Sequence, residues 1–329
     1  MESYLYEFLF FAIISALAIY LSIKIFPKIG LLDFPERYGK SREKIPYPGG
    51  LTLVVLIILI LIWQKEYLLS GLTTILAGIS FWDDRKNLAI FPRLLVQLFV
   101  AIVFAIFIAK INYIGNPFSF NSFEIPQNPA IFLTIIWIMA IQNAMNWFDG
   151  LKGLCVGVAG IGFLALGIFG LIRPEVLWET DLTMATTITF SIAGILLGSW
   201  LTFFRGKILL GDTGSQIIGF LLAGFSIIAG TKIATTLLIL GLPLIDLVFV
   251  TLRRIFLDKK SPFLGDGKHL HHLVSRKIGK QKAVLLFMAI SATFAGISIF
   301  LTGWYKLTTL LILGGIILGL YKYSWEQEK

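Results

Sequence analysis

Charge is scarce in this chain, and histidine and cysteine are scarcer. Only 14% of its 329 residues are Asp, Glu, Lys or Arg, against about 25% in soluble domains. Long stretches carry no charge at all, the pattern of membrane-spanning helices of about 20 residues. A soluble enzyme is excluded. The single cysteine, Cys155, rules out an intrachain disulfide and reads as a packing residue inside a span. The three histidines, His269, His271 and His272, all fall in "GDGKHLHHLVSRK". With no HExxH and no cysteine partner, they are not spaced as a zinc site.

What is present is apolar: 57% of residues are hydrophobic and the mean hydropathy is +0.85. Hydropathy predicts eleven spans, at 4–26, 47–64, 67–82, 92–111, 130–146, 153–172, 183–204, 213–230, 233–255, 283–301 and 305–321. The first has acidic Glu2 and Glu7 ahead of its apolar run and basic residues after it, so it reads as a span with its N-terminus outside and not as a signal peptide. With that orientation, 23 of the 28 Lys and Arg residues fall on the inner side. The expected architecture is therefore one all-α polytopic membrane domain over 1–329, C-terminus inside. Its cytoplasmic loops lie at about 27–48, 83–92, 146–152, 205–212 and 256–282. The net charge of +9 then belongs to one face, suited to anionic lipid and an anionic substrate. On the outer side, 112–129 is rich in turn formers and reads as a small hairpin, and the loop "RPEVLWETDLT" is acidic.

Span parity brings four polar clusters to the inner side. They are Asp83 and Asp84 in "WDDRKNL", Asn143, Asn146, Asp149 and Lys152 in "NAMNWFDGLKGL", Asp212 in "LLGDTGSQIIGF", and the histidines. Each has a bland reading. The aspartate pair beside Arg85 suits a solvated loop, Asp212 suits a helix cap, and the asparagines suit interhelical glue. Asp246, mid-span after Pro243, reads as an acceptor for backbone donors freed at the proline break. Together they suit one chemistry. Carboxylates and an amide oxygen hold Mg²⁺, while histidine, arginine and lysine donate to phosphate oxygens. That combination points to phosphoryl transfer at a membrane surface.

Six stretches in order resemble the polyprenyl-phosphate N-acetylhexosamine-1-phosphate transferases, and closest the bacterial undecaprenyl-phosphate GlcNAc-1-phosphate branch. They are "DFPERYGKSREKIPYPGG", "DDRKNL", "NAMNWFDGLKGL", "KILLGDTGSQIIGF", "PLIDLVFVTLRR" and "SPFLGDGKHLHHLV". The resemblance implies a Mg²⁺-dependent enzyme, with Mn²⁺ able to substitute, in the bacterial cytoplasmic membrane. It would move HexNAc-1-phosphate from a UDP-N-acetylhexosamine to undecaprenyl phosphate at the cytoplasmic face and release UMP. Asp212 would be the metal ligand and Asn146 an amide beside it, with Asp83, Asp84 and Asp212 catalytic. Asn143, Asp149, Lys152, His269, His271, His272, Arg93 and Arg254 would touch substrate. Partners would be the UDP-sugar, the polyprenyl phosphate, membrane lipid and a second copy as a homodimer, with no nucleic acid.

Two positions depart from the family pattern: Lys152 stands where many members have a second Asp, and Thr202 stands near an expected Asn. A phospho-N-acetylmuramoyl-pentapeptide transferase is the alternative within the family. A CDP-alcohol phosphotransferase would need an AR and later acids that "DGLKGL" lacks. An ion-coupled transporter would carry its ionisable residues near the midplane.

Overall fold

The computed structural model describes residues 2–38, 42–115, 122–172, 182–230, 233–259, 261 and 267–325. The expected acidic outer loop at 173–183 and the head of the histidine motif at 262–266 lie mostly or wholly outside them. Thirteen α-helices are described: α1 Glu2–Ile25, α2 Gly50–Trp63, α3 Tyr67–Lys86, α4 Ile90–Phe107, α5 Gln127–Phe148, α6 Leu154–Ile172 and α7 Leu182–Phe204. They continue with α8 Asp212–Ile228, α9 Ile233–Ile239, α10 Gly241–Leu252, α11 Leu270–Ile278, α12 Lys280–Phe300 and α13 Trp304–Trp325. Two short strands, Tyr113–Gly115 and Ser122–Glu124, pair antiparallel between α4 and α5. The chain is an all-α polytopic membrane protein.

Each expected span falls on helix, though not all eleven are, taken singly, long and apolar enough to cross. Seven described helices are long and apolar enough to cross, or eight if the bent pair α9–α10 is one span. The reason is physical. With 14 and 17 residues, α2 and α8 reach only about 21 and 26 Å, against a hydrocarbon core of about 30 Å. The third helix is long enough but carries a polar stripe that includes Ser70, Thr73 and Ser80. The ninth expected span is two helices bent by 88° at Leu240. Gly241 and Pro243 open α10, where the missing proline N–H costs nothing.

Helix α8 is the axis of the molecule: nearly every residue from Thr213 to Ser226 is buried, with α5 and α3 packed on it. Gly219 lets the α5 backbone approach, since a Cβ there would lie 2.8 Å from the Gln142 Cα. On the far side, α1 leans on α7, where Gly194 and Gly198 face the backbone of Phe8 and Ala12. Small residues permit such close helix contacts in lipid, where van der Waals packing holds helices together. Exposed Phe10, Ile13 and Leu17 on α1, and Phe99 and Ile106 on α4, give the outer surface its apolar character.

The Gly-Gly turn before α2 has a specific task. Gly49 N–H donates to the Leu209 carbonyl at 2.6 Å and Gly50 N–H to Leu210 at 2.8 Å. A side chain on Gly50 would collide with the Gly214 backbone. The first loop is thereby pinned against the start of α8. Asp33 braces it from behind, accepting from the Ile45 N–H at 2.6 Å and the Arg42 guanidinium at 2.5 Å.

Candidate active site

The start of α8 gathers the acids. Asp212 is its first residue, and Gly211 before it has φ 80°, a left-handed turn that favours glycine. Asp84, from the last turn of α3, caps this helix from outside. Its carboxylate accepts from the Asp212 N–H at 2.8 Å, the Thr213 N–H at 2.9 Å, the Thr213 hydroxyl at 2.5 Å and the Tyr47 hydroxyl. A helix N-terminus carries unpaired N–H groups and partial positive charge, so a carboxylate there meets both needs. Asp84 is thus fully occupied as an anchor, and the reading as a solvated loop is corrected by its burial.

Its neighbour points elsewhere. Asp83 accepts from the Leu88 N–H at 2.6 Å and pairs with the Arg93 guanidinium at 2.5 Å. The same Arg93 nitrogen lies 2.9 Å from Asp212 Oδ2. The other Asp212 oxygen accepts from the Asn146 amide at 3.0 Å, and that amide also reaches the Ser215 hydroxyl at 3.0 Å. Two carboxylates from different helices therefore converge on one cationic atom beside an amide. Asp149 closes the cluster. Burial first, and then the Asp212 and Asp84 charges, hold its carboxyl well above the usual carboxylate range. Such a crowd of acids calls for positive charge.

Towards the apolar interior, an amide ladder continues from this cluster. Asn143 donates to Gln97 at 3.1 Å, and Gln97 to Gln216 at 2.9 Å. With Arg93, Asn146 and Trp147 they line a cavity of about 50 Å³.

The histidines form the other half. His269 is the N-cap of α11 and the next two lie in its first turn, yet the rings stand in a row, 5.6 Å from His269 to His271 and 4.2 Å on to His272. His271 is fully buried against Phe148, at 5.4 Å, and neither ring nitrogen has a hydrogen-bond partner. Burial drives its pKa down to about 3. Arg254 is also buried, its guanidinium 5.2 Å from the Trp147 ring. The segment Trp147–Gly150 is the seam between the two halves: Trp147 and Phe148 face the histidine side, Asp149 the acids, and a side chain on Gly150 would strike His271 and His272. Lys152 lies apart, packed under Gly206 in the turn between α7 and α8.

Asp246 corrects one expectation. It is buried in α10, but the donors it accepts are not those of its own helix: they are the Leu270 N–H at 2.8 Å, His269 Nδ1 at 2.8 Å and the Tyr321 hydroxyl. Tyr47, Gln97, Trp147, Thr213, Gln216 and Tyr321 were not foreseen as part of this site. Only the polar Gln97 and Gln216 inside apolar helices carried a signal in the sequence.

The family model described as "Glycosyl transferase family 4" matches residues 67–230, from α3 through α8. A Bacillus subtilis (strain 168) protein, "Probable undecaprenyl-phosphate N-acetylglucosaminyl 1-phosphate transferase", is 30% identical over 302 residues, covering 87% of this chain and 82% of its own. This chain belongs to glycosyl transferase family 4. The family member "Undecaprenyl-phosphate alpha-N-acetylglucosaminyl 1-phosphate transferase" of Escherichia coli (strain K12) is 27% identical, covering 91% of this chain and 85% of its own. The protein of the same name from Thermotoga maritima is 29% identical, covering 81% and 80%.

The donor set fits a divalent metal of the hard, oxygen-seeking kind. Asp83 and Asp212 already share one cationic nitrogen, and the Asn146 amide and the Ser215 hydroxyl stand beside Asp212. Among the described residues no three of His, Cys, Asp and Glu are placed to hold a metal ion by themselves.

Proposed function

We propose that this protein transfers GlcNAc-1-phosphate from a UDP-sugar to undecaprenyl phosphate at the cytoplasmic face of a bacterial membrane. An oxygen of the lipid phosphate attacks the sugar-bearing phosphorus. The bond from that phosphorus to the bridging oxygen breaks, and the electron pair leaves on UMP. The product is a lipid-linked diphosphate sugar, and the anomeric bond is untouched. The observation that carries the reading is the convergence of Asp83 and Asp212 on one cationic position beside Asn146, in a chain of this family.

Such a transfer needs little covalent chemistry from the protein. Two anions must be brought together, and the charge on the leaving group must be balanced. Asp212, Asp83 and Asn146 would hold Mg²⁺, which when bound supplies charge neutralisation to the diphosphate. Arg93 holds the acid pair apart and offers a guanidinium to the acceptor phosphate. An acceptor phosphate has a second pKa near 6 and is largely dianionic at neutral pH, so a base adds little. Asp84, with four donors upon it, anchors Asp212 and takes no proton. On the other half, Arg254, His269 and His272 face the donor diphosphate, with His271 buried behind them against Phe148, while Asp149 flanks the nucleotide side.

The test uses the purified chain in detergent with UDP-GlcNAc and undecaprenyl phosphate. UMP should appear only when both substrates and a divalent cation are present. Absence of UMP under those conditions overturns the reading. A panel of UDP-GlcNAc, UDP-GalNAc, UDP-QuiNAc and UDP-MurNAc-pentapeptide then fixes the donor.

A further inference from the structure

The final helix reaches the site through a line of buried polar groups. Tyr321, in α13, is 3% exposed, with its ring 4.0 Å from Phe249 and its hydroxyl donating to Asp246 Oδ1. Asp246 Oδ1 also accepts the Leu270 N–H at 2.8 Å, so this oxygen is locked. Its other oxygen faces His269 Nδ1 at 2.8 Å, and His269 Nε2 faces an Arg254 nitrogen at 3.4 Å. A carboxylate only accepts and a guanidinium only donates. His269 between them must carry its proton on Nδ1 and present a lone pair on Nε2. The far end is the Arg254 guanidinium over Trp147, which lines the cavity shared with Asn146 and Arg93.

We propose that Tyr321 and Asp246 are positioning residues that fix the tautomer of His269 and, through it, aim Arg254 at the diphosphate of the donor substrate. The inference rests on the transferase reading above for what Arg254 meets, but not for the tautomer. It gives α13 a role in the site despite its distance from the acids. Polar groups in a membrane helix interior are expensive unless paired, and from Tyr321 through Asp246 and His269 to an Arg254 nitrogen each link of this line is a polar contact.

The line makes a sharp prediction for Asp246→Asn. With Oδ1 locked by Leu270 and Tyr321, the new amide must turn its NH₂ to His269 Nδ1. The histidine must then move its proton to Nε2, where it opposes the Arg254 donor. Tyr321→Phe is milder: it keeps the ring on Phe249 and removes only the hydroxyl.

Two measurements on the full chain test this. With ring-¹⁵N histidine, three residues alone give signals, and His269→Ala identifies one of them. That signal should report protonated Nδ1 and bare Nε2 in the wild type, and the reverse in Asp246→Asn. A wild-type His269 protonated on Nε2, or on both nitrogens, overturns the proposal. Should Asp246→Asn fail to fold, the wild-type spectrum and Tyr321→Phe still decide.

In kinetics, Tyr321→Phe should raise the donor KM about 3- to 10-fold, the value of roughly one hydrogen bond, and leave the acceptor KM unchanged. In an Arg254→Lys background the same change should add nothing. Equal changes in both KM values, no change, or full multiplication with Arg254→Lys would overturn it. Tyr323→Phe, an exposed neighbour, should match the wild type. A wild type with the expected tautomer but no UMP release would sink the transferase reading and leave the line standing.

Discussion

Asp84 and Asp246 lie in different halves of the molecule and are built alike. Each is a buried carboxylate from one helix that accepts backbone N–H groups at the start of another, α8 for Asp84 and α11 for Asp246. Each also takes the hydroxyl of a tyrosine from a third element, Tyr47 or Tyr321. Each thereby places the residue at that helix start, Asp212 in one case and His269 in the other. They differ in the last partner: Thr213 for Asp84 and an imidazole for Asp246. A hydroxyl has one protonation state near neutral pH, so Thr213 offers Asp84 a fixed donor. An imidazole has two tautomers, so the histidine half carries a choice that its carboxylate must make. A helix N-terminus gripped by a remote acid is therefore used twice, once to place a charge and once to select a donor pattern.

The largest expected effect breaks the acid half at its centre. Asp212→Asn keeps the size of the side chain and removes one of two carboxylates shared with Arg93. Turnover should fall by roughly 10²–10³-fold, as for loss of a preorganised charge in a reaction site. UMP release at saturating substrates and raised Mg²⁺ measures it, with a melting curve to confirm the fold. Near-normal turnover would remove Asp212 from the chemistry.

The adjacent pair separates anchoring from chemistry. Asp84→Asn puts an amide NH₂ among donors, so turnover should fall roughly 10- to 100-fold, as for partners that orient a ligand, and the melting temperature should fall with it. Asp83→Asn should lower turnover by a similar factor with a smaller change in melting, since Asp83 accepts one backbone N–H where Asp84 accepts two. Equal melting for the two variants would erase the distinction.

The tyrosines compare the halves directly. Tyr47→Phe removes one of four donors to Asp84 and should cost about 1 kcal/mol, or roughly fivefold, seen in turnover with both KM values steady. Tyr321→Phe should appear in the donor KM instead. Identical kinetic signatures for the two would mean that the halves do not divide the work.

The sequence made the bundle legible because lipid demands long apolar runs, and it made the acids legible because charge inside such a chain is rare. Asp83, Asp84, Asn146, Asp149, Asp212 and Arg93 could be found that way. Tyr47 and Tyr321 could not: they lie 37 and 75 residues from the acids they bind, and a tyrosine near a membrane surface is ordinary. The break of the ninth span was signalled by Gly241 and Pro243, but its 88° bend was not. That bend lets Asp246 face α11 and turns a mid-span acid into the clamp on His269.

The smallest effect at neutral pH concerns His271, and it sharpens the comparison through protons. Its ring is fully buried, packed on Phe148, and without a partner for either nitrogen. Burial lowers its pKa from 6.5 to about 3 in the folded chain. The unfolded chain binds a proton at about pH 6.5 and the folded chain does not until about pH 3. Between those values the unfolded state carries more protons, so stability falls as the pH falls. The contribution is whole above pH 6.5 and is lost at up to about 1.4 kcal/mol per pH unit below it. His271→Phe fills the same apolar niche with no titrating group. Its melting temperature should match the wild type at pH 7.5 and exceed it progressively from pH 6 to pH 4. Parallel melting curves for wild type and His271→Phe across that range would show that the buried ring takes up its proton in the folded chain.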